Sequence, residues 1–314
     1  MRKAFSPEVG AGVHSIDHFA LAVPDLFEEA KFLKTFGLDV QEEYYGLSVR
    51  TKGDEHLWAK IIQGEKKRLA YISLGCYAQD FLTIEAQVRA AGGDICTCHT
   101  CTSEEGLWFK DFDGNLVQVK AGPKKTLDAK QSMLDLNVPS NVRGAPARSK
   151  ARKAAPTRLS HIAMFTSDVS RAVDFYTRAV GLRLADRSGE IIAFTYGRHG
   201  SDHHLLAFLK GGGGGLHHSS WDLPSVEDLG LGNTQMREAG YNRHWGLGRH
   251  VLGSNYFNYV QDLFGQWWEY SAHIDYIEKD AKWSVADFAS EDALYLWGPD
   301  LPSDFASNTE MPET

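Results

Sequence analysis

Apolar positions along this chain follow two periods, and the order of those periods is written twice. His18 opens the short apolar run Phe19-Ala20-Leu21-Ala22-Val23, and His161 opens Ile162-Ala163-Met164-Phe165. Runs of this length and kind read as strands. Each run meets an Asp-containing turn and then a stretch with helical spacing, 26–36 and 170–180, with Val173, Tyr176 and Val180 on one apolar side of the second. The two stretches end alike, at Phe36-Gly37-Leu38 and Val180-Gly181-Leu182. Asp168 or Ser170 is suited to cap the second helix. Residues 225–239 predict another helix, stopped by Gly240. Strand-like runs include 191–196, 204–209, 217–221, 256–260 and 267–271.

The repeat has three landmarks. His18 matches His161, Tyr71 in Arg68–Leu74 matches His218 in Gly215–Trp221, and Gln118 in Asp113–Val119 matches Glu269 in Phe264–Tyr270. The offsets are 143, 147 and 151 residues, so small insertions account for the drift. A duplicated module that mixes strands and helices predicts an α+β fold, the first copy running from about Val13 to Ala121.

Length agrees with duplication, since 314 residues make about two ordinary domains. The division expected is 1–140, a connector at 141–156 rich in Ala, Arg, Lys and Pro, a second domain at 157–287 and a tail at 288–314. The connector's basic run, Arg148, Lys150, Arg152 and Lys153, reads as a solvated face. The tail is acidic and irregular and is expected to wrap over the surface or fray. Gly211 to Gly215 form a turn and not a phosphate loop, because no Lys-Ser/Thr follows at the needed spacing.

A net charge of −8 argues against general nucleic-acid binding. No apolar run approaches the ~20 residues that span a bilayer. The opening Met1-Arg2-Lys3-Ala4-Phe5-Ser6-Pro7 lacks the apolar stretch of a signal peptide, so a cytoplasmic location is expected. Cys96, Cys98 and Cys101 cluster around His99, but the spacing is not that of a zinc site and no second cluster completes it. Reduced thiols are the expectation.

Chemistry concentrates in the second copy. His161, His218 and Glu269 fall on strands of one module, and two imidazoles with one carboxylate suit one face of a divalent ion, as in a non-haem Fe(II) facial triad. The first copy keeps His18 but offers Tyr71 and Gln118, a poor set for Fe(II), so His18 reads as a hydrogen-bonding residue and one metal per chain is expected. His203, His204, His250 and Tyr259 add more ionisable groups than a structural core needs, although each alone is an ordinary surface or half-buried residue.

These motifs make the chain similar to the type I extradiol ring-cleavage dioxygenases of the vicinal oxygen chelate superfamily, relatives of catechol 2,3-dioxygenase and 2,3-dihydroxybiphenyl dioxygenase. The resemblance covers about residues 13–285. It is strongest at Leu159-Ser160-His161, His204-Leu205-Leu206-Ala207-Phe208, Leu216-His217-His218, and Gly248-Arg249-His250 through Glu269-Tyr270. It implies two tandem vicinal oxygen chelate domains of βαβββ modules, the second carrying the active site. His161, His218 and Glu269 become the metal ligands, with Fe(II) as cofactor and Mn(II) as the alternative. Side-chain alternation along a strand lets only one of His217 and His218 face the metal, and the resemblance selects His218.

By the same resemblance His204 is the acid–base residue, while His250 and Tyr259 orient the substrate. Their spacing, nine residues apart with Glu269 ten beyond the tyrosine, matches the family's. The implied partners are a small aromatic diol and O2, the implied assembly a homo-oligomer, and the implied reaction a meta cleavage giving a muconic semialdehyde-type product. Trp245, Tyr256, Phe257 and Trp267 are pocket candidates. Trihydroxylated rings, a trihydroxytoluene type among them, fall within the family's range. The competing readings are a glyoxalase-type metal isomerase and a ligand-binding protein without catalysis.

Overall fold

The computed structural model describes residues 11–96, 105–132 and 137–311. Each half of the chain contains two strand–helix–three-strand units. In the first half, Val13–Val23, helix Leu26–Phe36 and three strands ending at Gln63 are followed by Arg68–Cys76, helix Ala78–Ala91 and three strands ending at Ala121. In the second half, Arg158–Thr166 and helix Val169–Val180 lead one unit, and Gly215–Asp222 and helix Val226–Glu238 lead the other. The two leading strands pair antiparallel at the centre of each sheet, Val13–Val23 with Arg68–Cys76 and Arg158–Thr166 with Gly215–Asp222. This is the α+β, βαβββ architecture expected, with one sheet of eight strands and another of ten among the described residues.

Local chemistry explains the helix ends. Asp25 accepts from the backbone N–H of Phe27 and Glu28, and Asp168 from that of Arg171, so Asp168 and not Ser170 caps the third helix. Gly37 and Gly181 close their helices at φ of 100° and 71°, a left-handed conformation that side chains rarely adopt. A Cβ on Gly37 would collide with the Ala154 carbonyl, and one on Gly181 with that of Ala11, so both glycines also permit close chain approach. Helix Ala78–Ala91 went unread because Tyr77 makes no capping bond and only Ile84 and Val88 are buried, leaving a faint apolar stripe.

The halves share one core. The Phe36 ring stacks on Tyr270 with centroids 3.9 Å apart, and the Tyr270 hydroxyl donates to the Phe36 carbonyl at 2.8 Å. Tyr176 likewise donates to Asp111 at 2.9 Å. Two of the connector's basic residues, Arg148 and Arg152, are paired as well as solvated. Arg152 meets Asp228 at 2.8 Å and Glu227 at 3.2 Å, and Arg148 meets Glu238 at 3.1 Å.

Over its described residues, 288–311, the tail is anchored and does not fray. Tyr295–Trp297 joins the larger sheet beside His244–His250. Phe305 is buried, and Asn308 donates to the carbonyls of Gly211, Gly213 and Gly214, closing the glycine turn. Glu310 forms a buried 2.9 Å pair with Lys67 and accepts from the backbone N–H of Leu69 and Leu216. Periodicity cannot reveal such a segment, because it is held by a few isolated anchors and not by a repeating face.

Candidate active site

Six neighbouring strands of the larger sheet run in the order Leu206–Lys210, Arg158–Thr166, Gly215–Asp222, Trp267–Ala272, Tyr256–Gln261, His244–His250. His204 stands just before the first, and the others carry His161, His218, Glu269, Tyr259 and His250 in that order. Register puts these groups on one face. His161 lies opposite Ser220, Ser220 opposite Glu269, and Glu269 opposite Tyr259, while His218 is two residues from Ser220. The first half repeats the row as His18, Ser73, Gln118 and Trp108, with Tyr71 two residues from Ser73. The pairing of Tyr71 with His218 and Gln118 with Glu269 therefore holds residue by residue.

His161, His218 and Glu269 each offer a ligand atom, all within 4.8 Å of one another, and all three residues are buried. His161 Nε2 and His218 Nε2 lie 3.1 and 3.5 Å from Glu269 Oε2. The close approaches lack hydrogen-bond alignment, so His218 Nε2 and Glu269 Oε2 are buried without a hydrogen-bond partner. Orphaned buried atoms of this kind are costly unless something else satisfies them.

The surrounding bonds set the tautomers. The Phe305 carbonyl, 2.8 Å from His217 Nε2, can only accept, so that nitrogen carries a proton. Burial first, with Lys67 adding, lowers the His217 pKa to about 4, leaving the ring neutral. His217 Nδ1 then accepts from His218 Nδ1–H across 2.6 Å, and His218 Nε2 keeps its lone pair. Ser160 donates to Asp202 at 3.3 Å and accepts from His161 Nδ1–H at 3.3 Å, freeing His161 Nε2 in the same way. Two free imidazole lone pairs and one carboxylate oxygen fit a divalent cation.

His18 differs. Its Nδ1 bonds Asp17 at 2.7 Å, and its Nε2 takes the Tyr71 hydroxyl at 3.0 Å, so its lone pair is spent.

Alternation fails at His217. A bulge between Leu216 and His218 shifts the register, and the two rings come within 4.8 Å of each other instead of facing opposite sides. Both line the cavity, but His217 serves as the partner of His218.

His204 Nδ1 lies 3.0 Å from His203 Nδ1, and His203 Nε2 lies 2.8 Å from Asp186. With His203 Nε2–H donating to the carboxylate and its Nδ1 accepting from His204 Nδ1–H, His204 Nε2 is left as a free base. Burial, then the His161 ring, holds His204 well below the usual imidazole range. Burial, then the His217 ring, does the same for His218. Burial pushes the Glu269 carboxyl up, but His161, His250 and His218 outweigh it and hold it well below the carboxylate range. Burial and the Glu269 charge raise the Tyr259 hydroxyl, which stays protonated. His250 Nδ1 donates to the Leu294 carbonyl at 2.7 Å, and its Nε2 lies 3.1 Å from the Tyr259 hydroxyl. Asn255, which sequence reasoning missed, donates to Glu269 Oε1 at 3.2 Å and to Ser271 at 3.0 Å.

His161, His204, His218, His250, Asn255 and Tyr259 line a cavity of about 180 Å³. Of the aromatic candidates only Trp245 lines it; Phe257 and Trp267 support Trp245 and Tyr259 from behind, and Tyr256 packs on Trp297. Phe194, Leu252, Leu294, Leu301 and Phe305 complete the wall. Cys98 and Cys101 lie outside the described residues, and Cys96 is half-buried.

Residues 158–270 match the family model of the Glyoxalase/Bleomycin resistance protein/Dioxygenase superfamily. Metapyrocatechase 2 of Cupriavidus necator is 50% identical over 298 residues, which is 95% of this chain and 93% of that protein. Among solved structures, the Mn(II)-bound glyoxalase of Novosphingobium aromaticivorans superposes with a TM-score of 0.74 at 24% identity, covering 92% of each chain. BphC, a halotolerant catechol dioxygenase, superposes at 0.73 and 20% identity, covering 94% of this chain and 97% of its own. The two solved structures share the fold; the identity to the Cupriavidus protein carries more, and this chain belongs to the extradiol ring-cleavage dioxygenases of the vicinal oxygen chelate superfamily.

Proposed function

We propose that this protein opens a catechol-type or trihydroxylated ring beside its diol, using O2 and a divalent ion held by His161, His218 and Glu269. The observation that carries this reading is the pair of buried, unpartnered atoms, His218 Nε2 and Glu269 Oε2, facing His161 Nε2 across one small space. Fe(II), with Mn(II) as alternative, would supply there a Lewis acid and an electron path between a diol and O2. The balance is a simple addition. One ring C–C bond breaks, and both atoms of O2 enter the product as an acid and an aldehyde or ketone.

The chain's own residues divide the remaining work. The free Nε2 of His204 accepts a proton from the diol as it binds and returns it as the O–O bond breaks. The Tyr259 hydroxyl and His250 form a fixed hydrogen-bonding wall opposite His204. Asn255 holds the Glu269 carboxylate in one orientation, and His217 keeps His218 in the ligating tautomer. Trp245, Phe194, Leu294 and Phe305 exclude water and press the ring flat.

The catalytic unit in this reading is 157–287, joined by 141–156 to the degenerate unit 1–140, and the tail 288–314 roofs the site. A homo-oligomer and a cytoplasmic location belong to the same reading; among the described residues no helix is long and apolar enough to cross a membrane. The test is anaerobic Fe(II) loading followed by O2 uptake with a panel of catechols and trihydroxybenzenes. One O2 per ring with a yellow product is expected. Metal-dependent conversion without O2 uptake would instead establish an isomerase.

A further inference from the structure

The amino-terminal half has a cavity of about 320 Å³ where the repeat places the counterpart of the catalytic pocket. Its chemistry has changed sign. Lys60 stands opposite Ala20 in the register that sets Ala207 opposite Ala163, so an ammonium replaces a methyl group. Lys120 and Lys125 also line the space, and Asp17 is its one carboxylate among the described lining residues. Asp17 is already engaged by His18 at 2.7 Å and Lys120 at 3.5 Å. Lys60 is drawn below its ordinary range by burial and by Lys120, which marks two cations sharing one small space. Burial also lowers His18 and His56, so neither adds charge at neutral pH.

Two further groups call for a ligand. Trp108, which takes the place of Tyr259 in the row, is 4% exposed, and its indole N–H has no hydrogen-bond partner. Gln118 is 1% exposed, and its Oε1 has none either. Both residues line the cavity. Tyr71 and Trp108 meet edge to face with centroids 5.0 Å apart and form a flat apolar wall.

We propose that this cavity binds a small planar carboxylate. Lys60 and Lys120 take the carboxylate, the Trp108 N–H gives a further hydrogen bond, and the Tyr71–Trp108 wall covers the flat body. Such an acid comes either from the medium, as an aromatic acid, or from the enzyme, as its ring-opened product. The second source rests on the proposed reaction, whereas the binding site does not.

Isothermal titration of the metal-loaded protein with benzoate tests the site. One site per chain is expected, with a Kd below about 1 mM. Benzyl alcohol, which has the ring without the charge, is expected to bind at least about tenfold more weakly, as is benzoate to the K60M/K120M variant. Trp108→Phe, which keeps the wall and removes the N–H, should weaken benzoate about threefold; it also serves if the double variant does not fold. Turnover of catechol should be unchanged in both variants. Absence of binding up to about 10 mM, equal binding of benzyl alcohol, or equal binding by K60M/K120M and W108F would overturn the proposal. Enzymatically made ring-opened acid, added as a competitor, decides the source. Displacement of benzoate identifies the product as occupant, and no displacement identifies an external aromatic acid.

Discussion

Phe305→Ala tests whether the tail is part of the active site. The Phe305 ring is 6% exposed, with centroids 4.7 Å from His217 and Trp245, 5.0 Å from Tyr259 and 5.2 Å from Trp267. Truncating a buried phenylalanine costs about 3–5 kcal/mol, the larger values arising where the cavity cannot collapse. Here collapse is restricted, because the tail is fastened on one side by Tyr295–Trp297 and on the other by the buried Glu310–Lys67 pair. For 314 residues the unfolding entropy is roughly 0.66 kcal/mol per degree, so the Tm should fall by about 5–8 °C. The bond from His217 Nε2 to the Phe305 backbone carbonyl survives the change, so bound metal should be unaffected. The pocket loses one aromatic wall, and KM for a small catechol should rise about tenfold with a smaller fall in kcat. Calorimetry, iron content and O2 uptake on one preparation read all three. A Tm within a degree of the parent together with an unchanged KM would refute the roof.

Three other perturbations separate the remaining roles. Glu269→Gln keeps the shape but removes the charge, so Fe(II) and Mn(II) affinity by equilibrium dialysis should drop at least about 100-fold; retention would remove Glu269 from the metal set. His204→Phe should leave iron content intact and slow turnover by about 10²–10⁴, and normal turnover would take the acid–base role away from His204. His14 is buried against Gly122, and burial, outweighing that backbone bond, lowers its pKa to about 4. A folded pKa below the unfolded value of 6.5 means the unfolded chain binds the extra proton first. Stability is then full above about pH 6.5 and declines toward pH 4, by up to about 1.4 kcal/mol per pH unit. His14→Phe should shrink the difference in urea midpoint between pH 5 and pH 7.5, and an unchanged difference would exonerate His14.

The repeat was legible because strands and helices advertise themselves through period, and because two copies can be checked against each other. A cap at Asp168 or Ser170, the helix-ending glycines and the row His161, His218, Glu269 followed from local pattern plus the resemblance, and the structure chose Asp168. Helix Ala78–Ala91 did not, since a segment with two buried side chains has almost no periodic signal. His217 was misplaced for a different reason. Alternation assumes a regular strand, and a bulge is a property of the pairing between strands.

The amino-acid sequence by itself determined the α+β duplication, the decay of one copy and the identity of the residues that a metal would need. Those are statements about residue type and spacing, which a chain carries before it folds. Tertiary structure decided which nitrogen of each histidine is free, that Asn255 steadies Glu269, and that Phe305 closes the pocket from 36 residues beyond Glu269. It also decided that the decayed copy became a cationic cavity. Tautomers, buried orphan atoms and local potential depend on neighbours distant along the chain, so no periodicity can encode them.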